Sequence, residues 1–459
     1  MGIALQGGIS IGSNIIIGPG SVPVIIRGYV DIFGDSFTTD TAIYGLVYDS
    51  SNNLYAIGNS TISGTTKGIV SKFDVDGTLQ WQRTLGASSP SDTSFFGIDV
   101  DSSGNVYVTG YTSSNGTVDG RNIQIVKYDT NGTLQWQKTL GGTSFFEQGG
   151  SLVVEQNTGD FYVGGTFAVS SNAIRLRAMV AKYNSSGVLQ WQTGLTPAVV
   201  NDDSGLTGMV LDSSGNIYIA GNAPTGATYD QGLLAKYNSS GALQWQVAIT
   251  KATGLSNFYG ITIDSSDNIF VCGQAVTNTG GTSYGIVAKY NTSGSLQWKK
   301  QIGDSGGNPV LTGITVDSTG NIYTTGSSGD ASSYIIKLDT SGALQWQRNF
   351  SGSPYYARFY SIDIDSNDDL ILGGNTRDTG VNINQMLMLR IPSDGTPTGT
   401  YTVNGIDFVY STSSLPIADL SAWSTTTTTL TNGTTTFTAG TSSLTGATSS
   451  YTNSVTLIT

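Results

Sequence analysis

Four sets of side chains recur in this chain at spacings that could do chemistry. The first is the acidic loop Asp101-Ser-Ser-Gly-Asn105, with counterparts near Asp49, Asn157, Asp212, Asp264, Asp317 and Asp365. Its oxygens could ligate calcium, but it is shorter than an EF-hand loop and lacks the distal glutamate. Local Asp and Asn bonds to the backbone, with Gly at positive φ, make a tight turn the expectation. The second set is Lys72, Lys127, Lys182, Lys236, Lys289 and Lys337. A ring of them could gather an acidic ligand. Pairing of each with a nearby loop Asp is expected instead, and exposed pairs contribute little each. The third set is tryptophan in Leu-Gln-Trp, at Trp81, Trp136, Trp191, Trp245, Trp298 and Trp346. Such rings could stack on sugars. Alternation with Gln puts Leu and Trp on one strand face, so packing between repeats is expected. The fourth set is Tyr44, Phe96, Tyr259 and Tyr360, each just ahead of the first strand of a repeat. They form a candidate ligand-contact ring at one mouth of the fold, for a glycan; sealing the top of the core is the alternative. Thr207 and Thr312 hold that place in two repeats.

Composition removes other chemistry. The 459 residues contain no histidine, which excludes Ser-His-Asp catalysis and His metal sites. The single cysteine, Cys272, cannot form an intrachain disulfide and reads as a small core residue. No phosphate loop, paired-carboxylate signature or nucleophile elbow is present. No catalytic residue, cofactor site or metal site is therefore expected, and the chain reads as a non-enzyme. A net charge of −12 speaks against nucleic acid as a partner. No run of apolar residues is long enough for a membrane span. The opening lacks the basic region of a signal peptide, so the chain is expected to stay in the cytoplasm or leave it by assembly or lysis.

The tryptophans recur at steps of 55, 55, 54, 53 and 48 residues, a period that means a repeat architecture. One unit runs Gly97-Ile-Asp-Val-Asp-Ser-Ser-Gly-Asn-Val-Tyr-Val-Thr-Gly110, a loop, then Ile125-Val-Lys-Tyr-Asp-Thr-Asn-Gly-Thr-Leu-Gln-Trp. It predicts four strands. The second, such as Val106-Tyr-Val, is apolar on both faces and so buried on both. Antiparallel units of four strands at this period are propeller blades. The expected fold is all-β, a seven-bladed β-propeller over 22–395, with an N-terminal Gly/Ile arm over 1–21, a linker over 396–422 and a Thr/Ser-rich β or fibrous tail over 423–459. Seven copies of the first three strands occur but only six of Leu-Gln-Trp. Tyr29-Val-Asp-Ile-Phe-Gly34 aligns with Trp81–Gly86 and should close blade seven by pairing with Met386–Ile391; the competing arrangement uses Thr398–Val403.

The Asp-Ser-Ser-Gly-Asn and Leu-Gln-Trp motifs resemble the bacterial β-propeller repeat family of surface and extracellular proteins, over roughly residues 24–395. The opening Gly7-Gly-Ile-Ser-Ile-Gly12 resembles short Gly/Ile openings of tailed-bacteriophage virion proteins. That resemblance implies a virion structural protein, a tail or capsid appendage that displays a propeller for host attachment. A bacterial cell-surface lectin or adhesin, extracellular, is the alternative. In the tail, Trp423, Leu430, Phe437, Leu444, Tyr451 and Ile458 recur every seventh residue, amid Thr, Ser and Gly. One apolar residue per seven cannot make a coiled coil, and an odd step flips faces in a plain strand. Each unit should contain a turn, as in a narrow β-fibre ordered by other chains. Other virion proteins bound through the arm and tail, a homo-oligomer such as a trimer, and a host glycan are the expected partners.

Overall fold

The computed structural model describes residues 29–33, residues 41–419 apart from short loops, and five strands between 424 and 457. The arm 1–21 and the six evenly spaced apolar residues of the tail lie outside the described residues. The described elements are all strands, and they form seven antiparallel blades. Blade one is Thr41–Tyr48, Leu54–Ile62, Thr65–Phe73 and Leu79–Gly86. Its inner strand touches the inner strands Thr93–Val100 of blade two and Tyr355–Ile364 of blade seven, so the ring is closed.

The core lies between blades. Tyr55, Ile57 and Val70 of blade one meet Phe95, Ile98 and Val106 of blade two, and the pattern repeats around the ring. The second strands are buried on both faces, as their unbroken apolar runs require; Val106, Tyr107 and Val108 are each 0% exposed.

Every inner strand carries a β-bulge at the same level. The register shifts between Ile43 and Gly45, between Phe95 and Gly97, and so on to Phe359 and Ser361. The bulge brings an inner-strand carbonyl down onto the second strand. A Cβ at Gly374 would lie 1.8 Å from the Arg358 carbonyl oxygen, and one at Gly58 equally close to that of Ala42. This close approach is why each second strand needs glycine there. Gly374→Ala is expected to cost about 1–3 kcal/mol through forced backbone shifts. A chemical-denaturation midpoint equal to that of the parent protein would refute the steric reading.

Blade seven is built from both ends of the propeller. Tyr29–Phe33 pairs antiparallel with Asn384–Ile391, with Tyr29 opposite Arg390 and Phe33 opposite Met386. Gly399–Val403 instead pairs with Ile406–Thr412. N-terminal closure removes the open edge that a broken ring would leave.

The C-terminal segment forms a belt, giving each blade a fifth strand. Ile406–Thr412 pairs with Leu344–Gly352 of blade six, and Ile417–Asp419 with Leu296–Ile302 of blade five. Ser424–Thr427, Thr431–Thr434, Thr438–Thr441 and Thr445–Thr448 then serve blades four, three, two and one. Asn453–Leu457 pairs with Tyr29–Phe33 and ends the circuit at blade seven. The period of seven is therefore a four-residue strand plus a three-residue step to the next blade. The expected fibre ordered by other chains is corrected: these strands pair with this chain's own blades. The outer edge of each blade is tethered close by, so pairing with it needs no encounter between molecules. The stretch 396–422, expected as a linker, contributes strands to blades six and five.

Candidate functional site

The bulges set out the ring predicted from sequence. The extra residue at each is Tyr44, Phe96, Gly150, Thr207, Tyr259, Thr312 or Tyr360, in blades one to seven. The four aromatics sit inside the inner strands, not ahead of them, because the bulge absorbs the break in alternation. All four are half-buried. Three occupy adjacent blades and touch: ring centroids are 5.6 Å apart for Tyr360 and Tyr44, and 5.1 Å for Tyr44 and Phe96. Tyr111 extends the run at 6.0 Å from Phe96, and the Arg121 guanidinium lies 4.0 Å from the Tyr111 ring centre. Tyr259 stands apart in blade five, flanked by the blades of Thr207 and Thr312. Those threonines donate to the Phe258 and Phe359 carbonyls of the next blade, at 2.7 and 2.9 Å.

Beside Tyr360 a cleft of about 100 Å³ opens, lined by Tyr356, Arg358, Tyr360, Asn375, Arg377 and Asn384. Register explains the grouping. Tyr356, Arg377 and Asn384 are directly opposite across three strands, and Arg358 is opposite Asn375, two residues along. All five therefore share one sheet face. Sequence reading missed both arginines, because nothing in their local pattern repeats.

It also missed Asp99 and Asp363, three residues past the bulges of blades two and seven. Each accepts the backbone N–H of its successor and one from the next blade: Val154 to Asp99 at 2.8 Å, Tyr48 to Asp363 at 3.1 Å. They are set deep among the blades and still partly open to solvent. Burial pushes Asp99 up to about 7 and Asp363 up to about 6, against the opposing backbone hydrogen bonds. The Asp363 charge is one of the lesser causes that raise Asp99. A carboxyl raised in the folded state stabilises the protein below its ordinary pKa and loses that contribution as pH rises through the folded value. Stability should therefore fall between about pH 4 and pH 8. At Asp212 and Asp317 burial pushes upward but loses to hydrogen bonds, chiefly from Asn216 and Asn321, so both lie below the ordinary value and act only in more acid solution. Asp99→Asn with Asp363→Asn should flatten the melting temperature between pH 5 and 8. An unchanged slope in the double variant would count against this assignment.

The remaining motifs hold the blades together. Asp101 accepts from Ser103 N and Asn105 N with one oxygen, and from the Asn105 side chain and the Tyr107 hydroxyl with the other, so turn bonding occupies the carboxylate. The lysines lie over second-strand aromatics, Lys127 4.7 Å from the Tyr107 ring centre. Some also reach an acid: Lys236 meets Asp212 at 3.1 Å, and Lys182 meets Glu155 at 2.9 Å. Lys72 instead donates to Thr130 in the next blade's turn, at 2.9 Å. The tryptophans bridge blades as expected. The Trp81 indole donates to the Thr130 carbonyl at 3.0 Å, and the positive-φ Gly132 lies against its ring. Cys272 is buried, which pushes its thiol up to about 12.

No curated protein matches this chain. Among solved structures it is similar to a protein of unknown function from Bacteroides caccae, with 9% identity, a TM-score of 0.38, and 70% of this chain and 93% of that one covered. It is also similar to polysaccharide lyase Uly1, with 10% identity and a TM-score of 0.45, over 79% of this chain and 91% of that one. A polysaccharide lyase of family PL25, an ulvan lyase, has 11% identity and a TM-score of 0.44, with 79% and 96% covered. The expectation of a non-enzyme is corrected here: lyases stand among the structures this chain is similar to. At these identities the likeness is one of fold alone. Residues 80–116 and 297–331 match the family described as Beta-propeller repeat, in agreement with the seven-bladed ring.

Proposed function

We propose that this protein is a structural component of a tailed-bacteriophage particle, an appendage that presents its propeller to the host surface and contacts a glycan there. The observation that carries the contact is the arc of three touching, half-buried aromatics, Tyr360, Tyr44 and Phe96, on adjacent inner strands. Aromatic faces beside polar groups suit the apolar faces and hydroxyls of a sugar. The belt supports a role outside the cell, because it covers each blade's outer edge where no disulfide can form. The Gly/Ile opening supports the particle, with the arm 1–21 as the attachment to other virion proteins. Mass spectrometry of purified particles tests the assignment. Peptides of this chain at stoichiometric abundance are expected; their confinement to a bacterial envelope fraction would favour the surface-lectin reading.

A further inference from the structure

We infer that the mouth of the propeller binds an acidic saccharide, a sugar chain bearing carboxylate or sulfate groups, with its anionic group in the cleft of blade seven. The inference rests on the glycan reading above and names the class of glycan. The chain has 32 acidic and 20 basic residues, yet two arginines line one cleft of about 100 Å³. Arg358 and Arg377 lie on neighbouring strands at diagonal register positions, about 7–8 Å apart at the backbone. A planar oxyanion between them can accept from both guanidinium forks, the geometry that favours arginine for such groups. Tyr356, Asn375 and Asn384 complete a lining able to donate to the remaining oxygens.

The cleft is continuous with the aromatic arc through Tyr360, which belongs to both. A sugar whose charged group enters the cleft therefore has its neighbours over Tyr44 and Phe96. At the far end Tyr111 carries Arg121 on its face, a second cation, on the second and third strands of the blade that holds Phe96. Cations at both ends of an aromatic run match a polymer with charge on successive units better than a neutral chain. The surrounding protein is acidic, so attraction has to be local: binding should weaken with salt and depend on these arginines.

Isothermal titration calorimetry of the intact protein tests this with three probes: an oligogalacturonate, a heparin-derived oligosaccharide and neutral maltohexaose. One or both acidic probes are expected to bind at least about tenfold more tightly than maltohexaose, and which one does so separates carboxylate from sulfate. Arg358→Gln with Arg377→Gln should abolish that preference while the melting temperature is retained. If that variant does not fold, Arg358→Lys with Arg377→Lys keeps the charge and should retain only part of the preference, because the fork is lost. Tyr44→Ala should weaken all the probes that bind. Equal affinity for neutral and acidic probes, or an acidic preference that survives loss of both arginines, overturns the inference. Tyr44-dependent binding of maltohexaose alone also overturns it while leaving the glycan mouth intact. No binding by any probe removes both.

Discussion

Arg390→Leu is expected to destabilise the propeller by about 3–5 kcal/mol, the cost of leaving a buried charge without its partner. In blade seven arginine replaces the lysine of the other blades. Its side chain is 7% exposed, and it binds the Asp365 carboxylate, whose side chain is 0% exposed, and that of Asp369 at 3.4 Å. It also donates to the Val75 carbonyl of blade one at 2.9 Å, so the same guanidinium spans the closure between last and first blades. Leucine would fill part of the space and strand two carboxylates. Urea denaturation should show the loss, and adding Asp365→Asn and Asp369→Asn to Arg390→Leu should recover part of it. A loss below about 1 kcal/mol would mean that solvent reaches this group and screens it, as at surface pairs.

Removing residues 1–34 is expected to cost more still. Tyr29–Phe33 has partners on both sides, Met386–Arg390 inward and Asn453–Leu457 outward, so its loss opens two ladders together. Blade seven would keep three strands and present a row of unpaired N–H and C=O groups. The truncated protein should melt at lower temperature and self-associate beyond the state of the intact chain, by sedimentation velocity. A synthetic peptide of residues 24–36 should restore stability in proportion to the logarithm of its concentration, as ligand linkage requires. No response to the peptide would place the closing strand elsewhere.

Blade count and closure were legible in the sequence for a physical reason. Trp81, Trp191, Trp245, Trp298 and Trp346 each combine a backbone hydrogen bond to the next blade with a ring on its turn glycine, and the Trp136 ring lies on Gly187 likewise, so blades need the same residues at the same interval. Tyr29 stands opposite Arg390 as Trp81 stands opposite Lys72, and that kept register is what betrayed the displaced strand. The ring aromatics were legible as positions but not as bulges, because a bulge depends on an approach between two backbones. Asp99 and Asp363 were hidden by company: each sits two residues before a turn aspartate, Asp101 or Asp365, and reads as more turn chemistry. The signal was that Val47, Val153, Val210, Thr262 and Thr315 hold that place in the other blades. The heptads announced a regular contact without naming its partner, since a period carries the spacing of a surface and not its owner.

The belt has a consequence for how the chain reaches its fold. Its strands visit blades six to one in the reverse of their order of synthesis, and the final one lies on Tyr29–Phe33, the first of the described strands. Blade two can pair its own four strands as soon as they emerge, whereas Tyr29–Phe33 must wait for partners more than 350 residues downstream. Closing a loop of that length comes late and slowly, since its entropy is spent before any contact returns it. Refolding should therefore show a fast phase of blade formation and a slow one of closure. A nascent chain interrupted anywhere before residue 453 would carry an unfinished seventh blade, which marks it as incomplete however well its other blades have formed.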